Sequence, residues 1–318
     1  MSSIVRGRCY WLVVCAGLSG GFVVDSIDLS AVHAEEPKVE ESAPVAWEQP
    51  GPMPENSEQT PARWARKGRI GSQLTPKSWD VAGVRREALV AFPKKRKEPS
   101  PVIFAFHGHG GTARFSAWKF DFHKLWPEAI CVYPQGLRTP VPRIDPEGKM
   151  SGWQKFLGDQ NDRDLAFFDV MLASLKQDRQ VDPQRIYVAG HSNGGFFTYL
   201  LWATRGDQLA AIAPVAAMNG LRDEARQKPL PVLHVAGEKD QIVPFSFQLG
   251  TLQRLRQRNE CAIEGRSLDA ERTEYASQVG ATVITMLHTG GHEIPANAPA
   301  RIVDFFQQHK KIPESSQP

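Results

Sequence analysis

Short runs of apolar and β-branched residues alternate with longer segments of helical periodicity along most of this 318-residue chain. Several runs are apolar at nearly every position, which is typical of strands buried on both faces of a parallel sheet. The alternation predicts the α/β class, with a doubly wound, mostly parallel sheet covered by helices on both faces. The predicted strands are 84–92, 102–106, 130–133, 185–189, 211–217, 232–236 and 281–288. The predicted helices are 115–126, 164–177, 194–204, 245–256 and 298–309.

The residues before this alternation predict two segments outside the fold. Residues 1–34 have the pattern of an export signal: two arginines, an apolar run at 11–24, and Val32-His33-Ala34 as a small-residue cleavage site. The run is shorter than the ~20 apolar residues of a membrane span, so a retained anchor is only the alternative. Residues 35–67 are rich in Pro, Glu, Gln and Ser, which predicts a flexible linker. We therefore expect a secreted or periplasmic protein with one folded domain at 68–318 and no stable membrane insertion.

Charge and cysteine content exclude some functions. Lys and Arg total 38 against 35 Asp and Glu, and a net charge of +3 provides no field for binding nucleic acid. Of the four cysteines, only Cys131 and Cys261 lie beyond the predicted signal. At most one disulfide could form, but Cys131 lies in an apolar run, which favours a buried free thiol.

The segment from Arg185 to Gly195 carries the strongest functional signal. A predicted strand ends in Gly190-His191-Ser192-Asn193-Gly194, and a predicted helix follows at once. This Gly-x-Ser-x-Gly pattern between strand and helix is typical of a nucleophile elbow, which holds a serine hydroxyl at the carboxyl edge of the sheet. Glycine is expected at 190 and 194 because the tight turn leaves no room for a Cβ atom. Ser192 is the candidate nucleophile.

A serine nucleophile needs a base and an acid, which in this arrangement follow it in the order acid, then histidine. The strand at 232–236 is followed by Glu238 and Asp240, and the strand at 281–288 is followed by His292. Asp240 is the preferred acid because it has more loop with which to reach the histidine, and Glu238 is the alternative. Of the histidines after Ser192, only His292 is borne by a loop, and it is the candidate base.

The strand at 102–106 is followed by His107-Gly108-His109-Gly110-Gly111. A glycine-rich loop at this place typically contributes a backbone N–H to an oxyanion hole. We expect the N–H groups of His109 and Asn193 to bind the oxyanion. The two histidines of this loop could suggest a metal, but no third ligand is apparent nearby, so no metal is expected.

Taken together, these motifs resemble the esterase/polyhydroxybutyrate-depolymerase family, which includes feruloyl and acetylxylan esterases. The resemblance covers about 101–295. It rests on His107-Gly108, Tyr133-Pro134-Gln135-Gly136, Trp153, Asp164-Leu165-Ala166-Phe167, Val181-Asp182, Gly190 to Gly195, Gly237 to Asp240, and Gly291-His292-Glu293-Ile294-Pro295. It departs from the common pattern in Glu293-Ile294, where the family often has Thr-Trp.

The resemblance implies an α/β-hydrolase fold, export, no cofactor, and hydrolysis of a small or polymer-bound ester, with Ser192, Asp240 and His292 in the catalytic roles. Acyl esters of plant polysaccharide, feruloyl or acetyl, are the expected substrates, and a polyester depolymerase is the alternative. A serine peptidase or a non-catalytic binding protein of the same fold is the weaker alternative.

The loops after the strands indicate how substrate could reach Ser192. Residues 218–231 are too few for a sizeable lid, so only a minimal lid and an open cleft are expected. The longest excursion, 135–162, carries Trp153 in polar surroundings. Trp153 is predicted to be exposed at the edge of the site and to bind substrate, with a core tryptophan as the alternative. His191, beside the nucleophile, is the second candidate substrate-binding residue.

Overall fold

The computed structural model describes residues 73–94, 98–177, 181–220 and 227–311. Ten strands form one sheet, in the order β1-β2-β4-β3-β7-β8-β9-β12-β11-β10. The strands are β1 Leu74–Val81, β2 Val84–Ala91, β3 Ser100–Phe106, β4 Ile130–Pro134, β7 Val181–His191, β8 Ala211–Val215, β9 Val232–Gly237, β10 Arg266–Ser267, β11 Arg272–Tyr275 and β12 Val283–His288. All seven predicted strands are present.

The six central strands β4, β3, β7, β8, β9 and β12 are parallel to their neighbours, and the outer strands pair antiparallel. Every residue of β3, β4, β8 and β9 is buried, as their apolar sequences predict. Two apolar clusters line the two faces of the sheet, so the core has two layers. The predicted fold class, a mostly parallel sheet with helices on both faces, is confirmed.

The helices follow the predicted positions with small differences at their ends. They are α1 Ala113–Phe120, α2 Phe122–Leu125, α3 Arg163–Gln177, α4 Asn193–Arg205, α5 Phe245–Arg258 and α6 Ala298–Gln307. The single helix predicted at 115–126 is divided at Asp121, which has a left-handed backbone with φ 48°. An L-residue in that conformation interrupts the helical hydrogen bonds, so α1 and α2 are separate.

The edge strands β1, β10 and β11, and the small sheet within the predicted excursion after β4, were not predicted from sequence. Seven of the eight residues of β1 are half-buried or exposed, and β10 has only two residues, both exposed. The excursion at 135–162 contains a small separate sheet, β5 Leu137–Arg138 paired with β6 Ser151–Gly152. These elements have too few consecutive apolar residues to stand out in the sequence.

A buried ion pair fixes α3 against the sheet. Arg86 of β2 donates to Asp164 at 2.7 Å, and the two side chains are 1% and 0% exposed. The second carboxylate oxygen of Asp164 accepts the backbone N–H of Gln154 at 2.9 Å. The pair therefore connects an outer strand, the start of α3 and the 135–162 excursion.

Several predictions concern residues at the margins of the described ranges. The predicted export signal, the linker and the start of the folded domain at 68 all lie outside the described residues. No helix within the described ranges is long and apolar enough to cross a membrane. Of the 218–231 segment, 218–220 and 227–231 are described, and neither part forms a helix or strand. Cys131 is a buried free thiol, and Cys261 is free as well.

Candidate active site

Ser192 lies at the turn between β7 and α4. Its backbone is in an unusual region, with φ 53° and ψ −120°, and its N–H donates to the Val215 carbonyl at 2.9 Å. A Cβ atom on Gly190 would lie 2.2 Å from the Gly194 carbonyl oxygen, and one on Gly194 would lie 2.5 Å from the Phe106 carbonyl oxygen. Both are backbone contacts that cannot yield, so glycine is required at 190 and 194. The predicted elbow is present.

The structure brings together the three residues predicted as nucleophile, base and acid. His292 Nε2 is 2.8 Å from Ser192 Oγ, and His292 Nδ1 is 2.8 Å from Asp240 Oδ2. The three residues come from the loops after β7, β9 and β12, which end at the same edge of the sheet. Because an ionised carboxylate can only accept, Nδ1 carries the proton and Nε2 is free to accept the serine hydroxyl.

Asp240, rather than Glu238, occupies the acid position. Its side chain is fully enclosed, whereas Glu238 is exposed to solvent. Burial alone would raise the pKa of Asp240, but the hydrogen bond and charge of His292, with the backbone N–H groups of Val243 and Ile242, lower it overall. The carboxylate therefore stays ionised, as an orienting acid must.

The loops that carry Asp240 and His292 are held directly against each other. The N–H of Lys239 donates to the Gly290 carbonyl at 2.9 Å, and that of Glu238 donates to the His288 carbonyl at 2.9 Å. A Cβ atom on Gly237 would lie 2.1 Å from the Gly291 carbonyl oxygen. Only glycine permits this approach, so the two loops are joined through their backbones.

His107 fixes the glycine-rich loop after β3. Its Nδ1 is 2.7 Å from the Gly108 carbonyl, and its Nε2 accepts the Gly136 N–H at 2.9 Å. Burial lowers the pKa of His107 to about 4, so the ring is neutral near pH 7. The ring connects the loop after β3 to the loop after β4. Within the described ranges, no group of three His, Cys, Asp or Glu side chains is placed to hold a metal ion.

The predicted oxyanion donors are carried by the glycine-rich loop and by the elbow itself. A Cβ atom on Gly108 would be 3.4 Å from Ser192 Cβ, so the glycine-rich loop passes close to the nucleophile. In the described part of the chain, neither the His109 N–H nor the Asn193 N–H donates to a protein group. Asn193 is the first residue of α4, where backbone N–H groups have no partner within the helix. Their role as oxyanion donors stays a prediction.

An unforeseen pair holds the His109 side chain. Its Nε2 is 3.1 Å from Asp145 Oδ2, and Asp145 also accepts the N–H groups of Lys149 and Met150. Burial lowers the pKa of His109 although Asp145 opposes the shift. The two residues are 36 positions apart, and no local pattern marks Asp145 as a partner, so sequence reasoning missed it.

Trp153 is not exposed, so the prediction that it is exposed at the edge of the site is wrong, and the alternative of a core tryptophan is confirmed. Its side chain is completely buried, stacked on Phe197 at 5.5 Å and edge-on to Phe106 at 5.1 Å. The indole N–H donates to the His107 carbonyl at 2.9 Å. The polar residues around Trp153 in the sequence concealed an apolar pocket formed by β3 and α4.

The Asn193 side chain has a role that the sequence did not suggest. Its Oδ1 accepts the Trp153 N–H at 2.7 Å, and its Nδ2 donates to the Trp153 carbonyl at 3.0 Å. This pair of hydrogen bonds joins the elbow to the loop that contains β6. Through these two hydrogen bonds, the Trp153 backbone supports the geometry of the elbow.

His191 contacts the candidate base. Its Nε2 is 3.2 Å from the His292 carbonyl oxygen, and a Cβ atom on Gly108 would lie 3.1 Å from its Nδ1. Burial, followed by the nearby His292, lowers the pKa of His191 to about 3, so the ring is neutral. These contacts hold the His292 backbone, and a contact of His191 with substrate stays a prediction.

Known proteins similar to this chain carry esterase names. The bifunctional acetylxylan esterase/xylanase of Neocallimastix patriciarum is 25% identical over 181 residues, which are 56% of this chain and 25% of that protein. The probable feruloyl esterase C of Aspergillus clavatus is 27% identical over 220 residues, 65% of this chain and 76% of that protein. No protein-family model matches the chain. The predicted resemblance to feruloyl and acetylxylan esterases is confirmed by these relatives.

Solved structures place the architecture in a known fold. A thermostable esterase superimposes with a TM-score of 0.53 at 15% identity, over 75% of this chain and 64% of that chain. The acetyl xylan esterase from Aspergillus awamori gives 0.52 at 11% identity, over 73% of this chain and 99% of that chain. With the strand order and the elbow, these matches show that the chain has the α/β-hydrolase fold.

Proposed function

We propose that the chain is a carboxylic ester hydrolase that works through an acyl-enzyme on Ser192. The observation that carries the proposal is the unbroken chain of two 2.8 Å hydrogen bonds from Ser192 Oγ through His292 to the enclosed carboxylate of Asp240. A serine hydroxyl is a poor nucleophile unless a base takes its proton, and that base needs an acid to fix its tautomer. The positions of His292 and Asp240 support both roles.

The first half of the reaction forms the acyl-enzyme. As Ser192 Oγ attacks the ester carbonyl carbon, its proton passes to His292 Nε2, and the carbonyl oxygen becomes an oxyanion. The N–H groups of His109 and Asn193 are the proposed donors to that oxyanion, each stabilising the transition state by about 3 kcal/mol. The tetrahedral intermediate then collapses, and His292 returns the proton to the departing alcohol oxygen.

The second half releases the acid. Water attacks the acyl carbon, its proton passes to His292 Nε2, and the proton then moves to Ser192 Oγ as the ester bond to the serine breaks. Asp240 stays ionised throughout and stabilises the imidazolium formed in each half. Because the carboxylate is enclosed and bonded to the histidine, its attraction for the imidazolium is not weakened by water.

Acyl esters of plant polysaccharide are the proposed substrates, feruloyl or acetyl, in line with the names of the relatives. The buried Trp153 is not available as an aromatic surface for the acyl group at the edge of the cleft. We propose that the protein is exported, because residues 1–34 have the pattern of an export signal.

The test compares Ser192→Ala with Ser78→Ala, a control serine exposed on edge strand β1. Activity is measured on p-nitrophenyl acetate, methyl ferulate, acetylated xylan and short hydroxybutyrate oligomers. We expect Ser192→Ala to fold normally and to lose about 10⁴-fold or more in activity, because the catalytic residues act as a unit. A fluorophosphonate should label the wild type and the control but not Ser192→Ala.

Substantial ester hydrolysis by Ser192→Ala would refute the assignment of Ser192 as the nucleophile. A wild-type protein that is inactive on every ester would refute the proposed function. Preference for hydroxybutyrate oligomers over the other esters would instead identify a polyester hydrolase.

A further inference from the structure

A row of buried polar side chains continues from Asp240 into the core. Gln248 of α5 donates from Nε2 to Asp240 Oδ2 at 3.0 Å. Its Oε1 is 3.4 Å from His234 Nε2 in β9, and His234 Nδ1 is 2.7 Å from the Tyr199 hydroxyl in α4. Gln248 and His234 are 0% exposed and Tyr199 is 1% exposed. The proposed reaction uses none of these three residues.

The direction of every hydrogen bond in this row follows from Gln248. Its Nε2 also donates to the Val243 carbonyl at 2.7 Å, so both amide hydrogens face acceptors. The reverse orientation of the amide would place its oxygen against a carboxylate and a carbonyl, which is repulsive. Oε1 must therefore accept from His234 Nε2–H, which leaves Nδ1 to accept the Tyr199 O–H. Burial lowers the pKa of His234 to about 4, consistent with a neutral ring.

Gln248 completes the set of donors around Asp240. Oδ1 accepts the N–H groups of Ile242 and Val243 at 2.9 Å each, while Oδ2 accepts from His292 and from Gln248. Four donors match the four lone-pair sites of an ionised carboxylate. The structure describes two donors to Oδ2: the proposed base His292 and Gln248. It therefore limits the rotation of the oxygen to which His292 is bonded.

Packing alone does not account for three enclosed polar side chains. Replacing a buried polar group and its partners by apolar groups of similar shape is often neutral or stabilising. If only the stability of the core mattered, leucine, methionine or phenylalanine at these positions would give an equal or higher free energy of unfolding.

We propose that Gln248 is a positioning residue for Asp240, and that His234 and Tyr199 hold its amide in the donating orientation. This inference rests on the proposed function, because its effect is exerted through the acid and base of that reaction. Without the Gln248 amide, Asp240 Oδ2 loses a fixed donor, and the His292 imidazole is held less firmly toward Ser192.

The first test replaces Gln248 by Met, which has similar length but no donor. We expect kcat on p-nitrophenyl acetate to fall about tenfold to a hundredfold, by analogy with the loss of activity when an outer hydrogen-bond partner of a metal-ligating residue is removed. KM should change less than about twofold, since only the transition state needs the fixed carboxylate. The matched control is Gln227→Met, another buried glutamine. Its side chain forms hydrogen bonds with the Asn219 side chain and the Tyr199 backbone carbonyl, and the hydrogen bonds described for Asp240 do not include it.

The second test replaces Gln248 by Glu, which keeps the shape and adds a titratable group. Two carboxyl groups in contact share one proton at low pH, and in that form the introduced carboxyl group can still donate to Asp240. As pH rises and the shared proton leaves, the donor is lost and like charges repel. We expect the kcat of Gln248→Glu to be closest to that of the wild type at acid pH and to fall relative to it as pH rises. Gln227→Glu should show no such trend.

Each outcome decides the inference. A wild-type kcat in Gln248→Met, together with a pH profile of Gln248→Glu parallel to the wild type, overturns it. If Gln248→Met does not fold, the pH profile of Gln248→Glu decides alone. A wild type without activity on any ester refutes the proposed function instead, so the two failures are distinguishable.

Discussion

Replacing Trp153 by Ala tests whether this residue belongs to the core or to the substrate cleft. The substitution removes a completely buried indole that packs on Phe106 and Phe197, and it leaves the His107 carbonyl without its donor. Truncation of a buried Trp costs about 3–5 kcal/mol, and an unpaired buried acceptor costs about 1–3 kcal/mol. We expect the free energy of unfolding to fall by about 4–6 kcal/mol, since the cavity admits some relaxation.

Thermal unfolding followed by circular dichroism measures this loss. For a domain of this size each kcal/mol shifts Tm by about 2–4 °C, so Trp153→Ala should unfold about 10–20 °C below the wild type. Trp153→Phe keeps an aromatic ring in the pocket but loses the indole donor and part of the indole volume, so its loss should be smaller than that of Trp153→Ala, about 2–4 kcal/mol. The difference between the two variants separates packing from the hydrogen bond.

Activity provides the second readout of the same variants. Trp153 supports the elbow through Asn193, so kcat/KM should fall by a similar factor on p-nitrophenyl acetate and on methyl ferulate. A Tm within about 3 °C of the wild type, with KM raised only for methyl ferulate, would show that Trp153 faces substrate and that the packing described here is wrong.

Two further predictions concern stability. In the folded chain, burial lowers the pKa of His107 and His234 to about 4 and that of His191 to about 3. In the unfolded chain the pKa of histidine is ~6.5, so the unfolded chain binds more protons than the folded chain between about pH 6.5 and 4. The free energy of unfolding, measured with urea, should therefore fall as pH falls through that window by about 1.4 kcal/mol per unit for each histidine, and a flat profile would contradict this. Asp164→Asn should lower the free energy of unfolding by about 3 kcal/mol because it leaves the buried Arg86 without a charged partner. Asp169→Asn on the same helix, whose ion pair is partly exposed, should cost less than about 1 kcal/mol, and equal losses would refute the argument.

The sequence contained enough information to predict the central strands and the three residues that meet at the elbow. Buried parallel strands are marked by continuous apolar runs, and Ser192, Asp240 and His292 each follow such a run in the order required by the fold. The choice between Asp240 and Glu238 depended on the length of the loop, and the structure encloses Asp240. Local pattern and chain order were sufficient for these features.

Long-range contacts could not be predicted in this way. The burial of Trp153 depends on β3 and α4, which are far from it in the chain, and its polar neighbours in sequence indicated the opposite. Asp145 and Gln248 are single polar residues in a loop and on a helix, and nothing within a few positions distinguishes them from surface residues. Their significance arises only from the folded packing that brings them to His109 and Asp240.

The two edge strands of the sheet also affect the tendency of this protein to aggregate at high concentration. An exposed strand edge can act as a template on which a second chain adds a strand, which is a common start of aggregation. Here β10 is two residues long and its Arg266 forms an ion pair with Glu274, while β1 carries Pro76, Lys77 and Asp80. Charge, proline and short length are the features by which natural sheets resist such pairing. In the described part of the chain, both edge strands of the ten-stranded sheet therefore have features that oppose intermolecular strand addition.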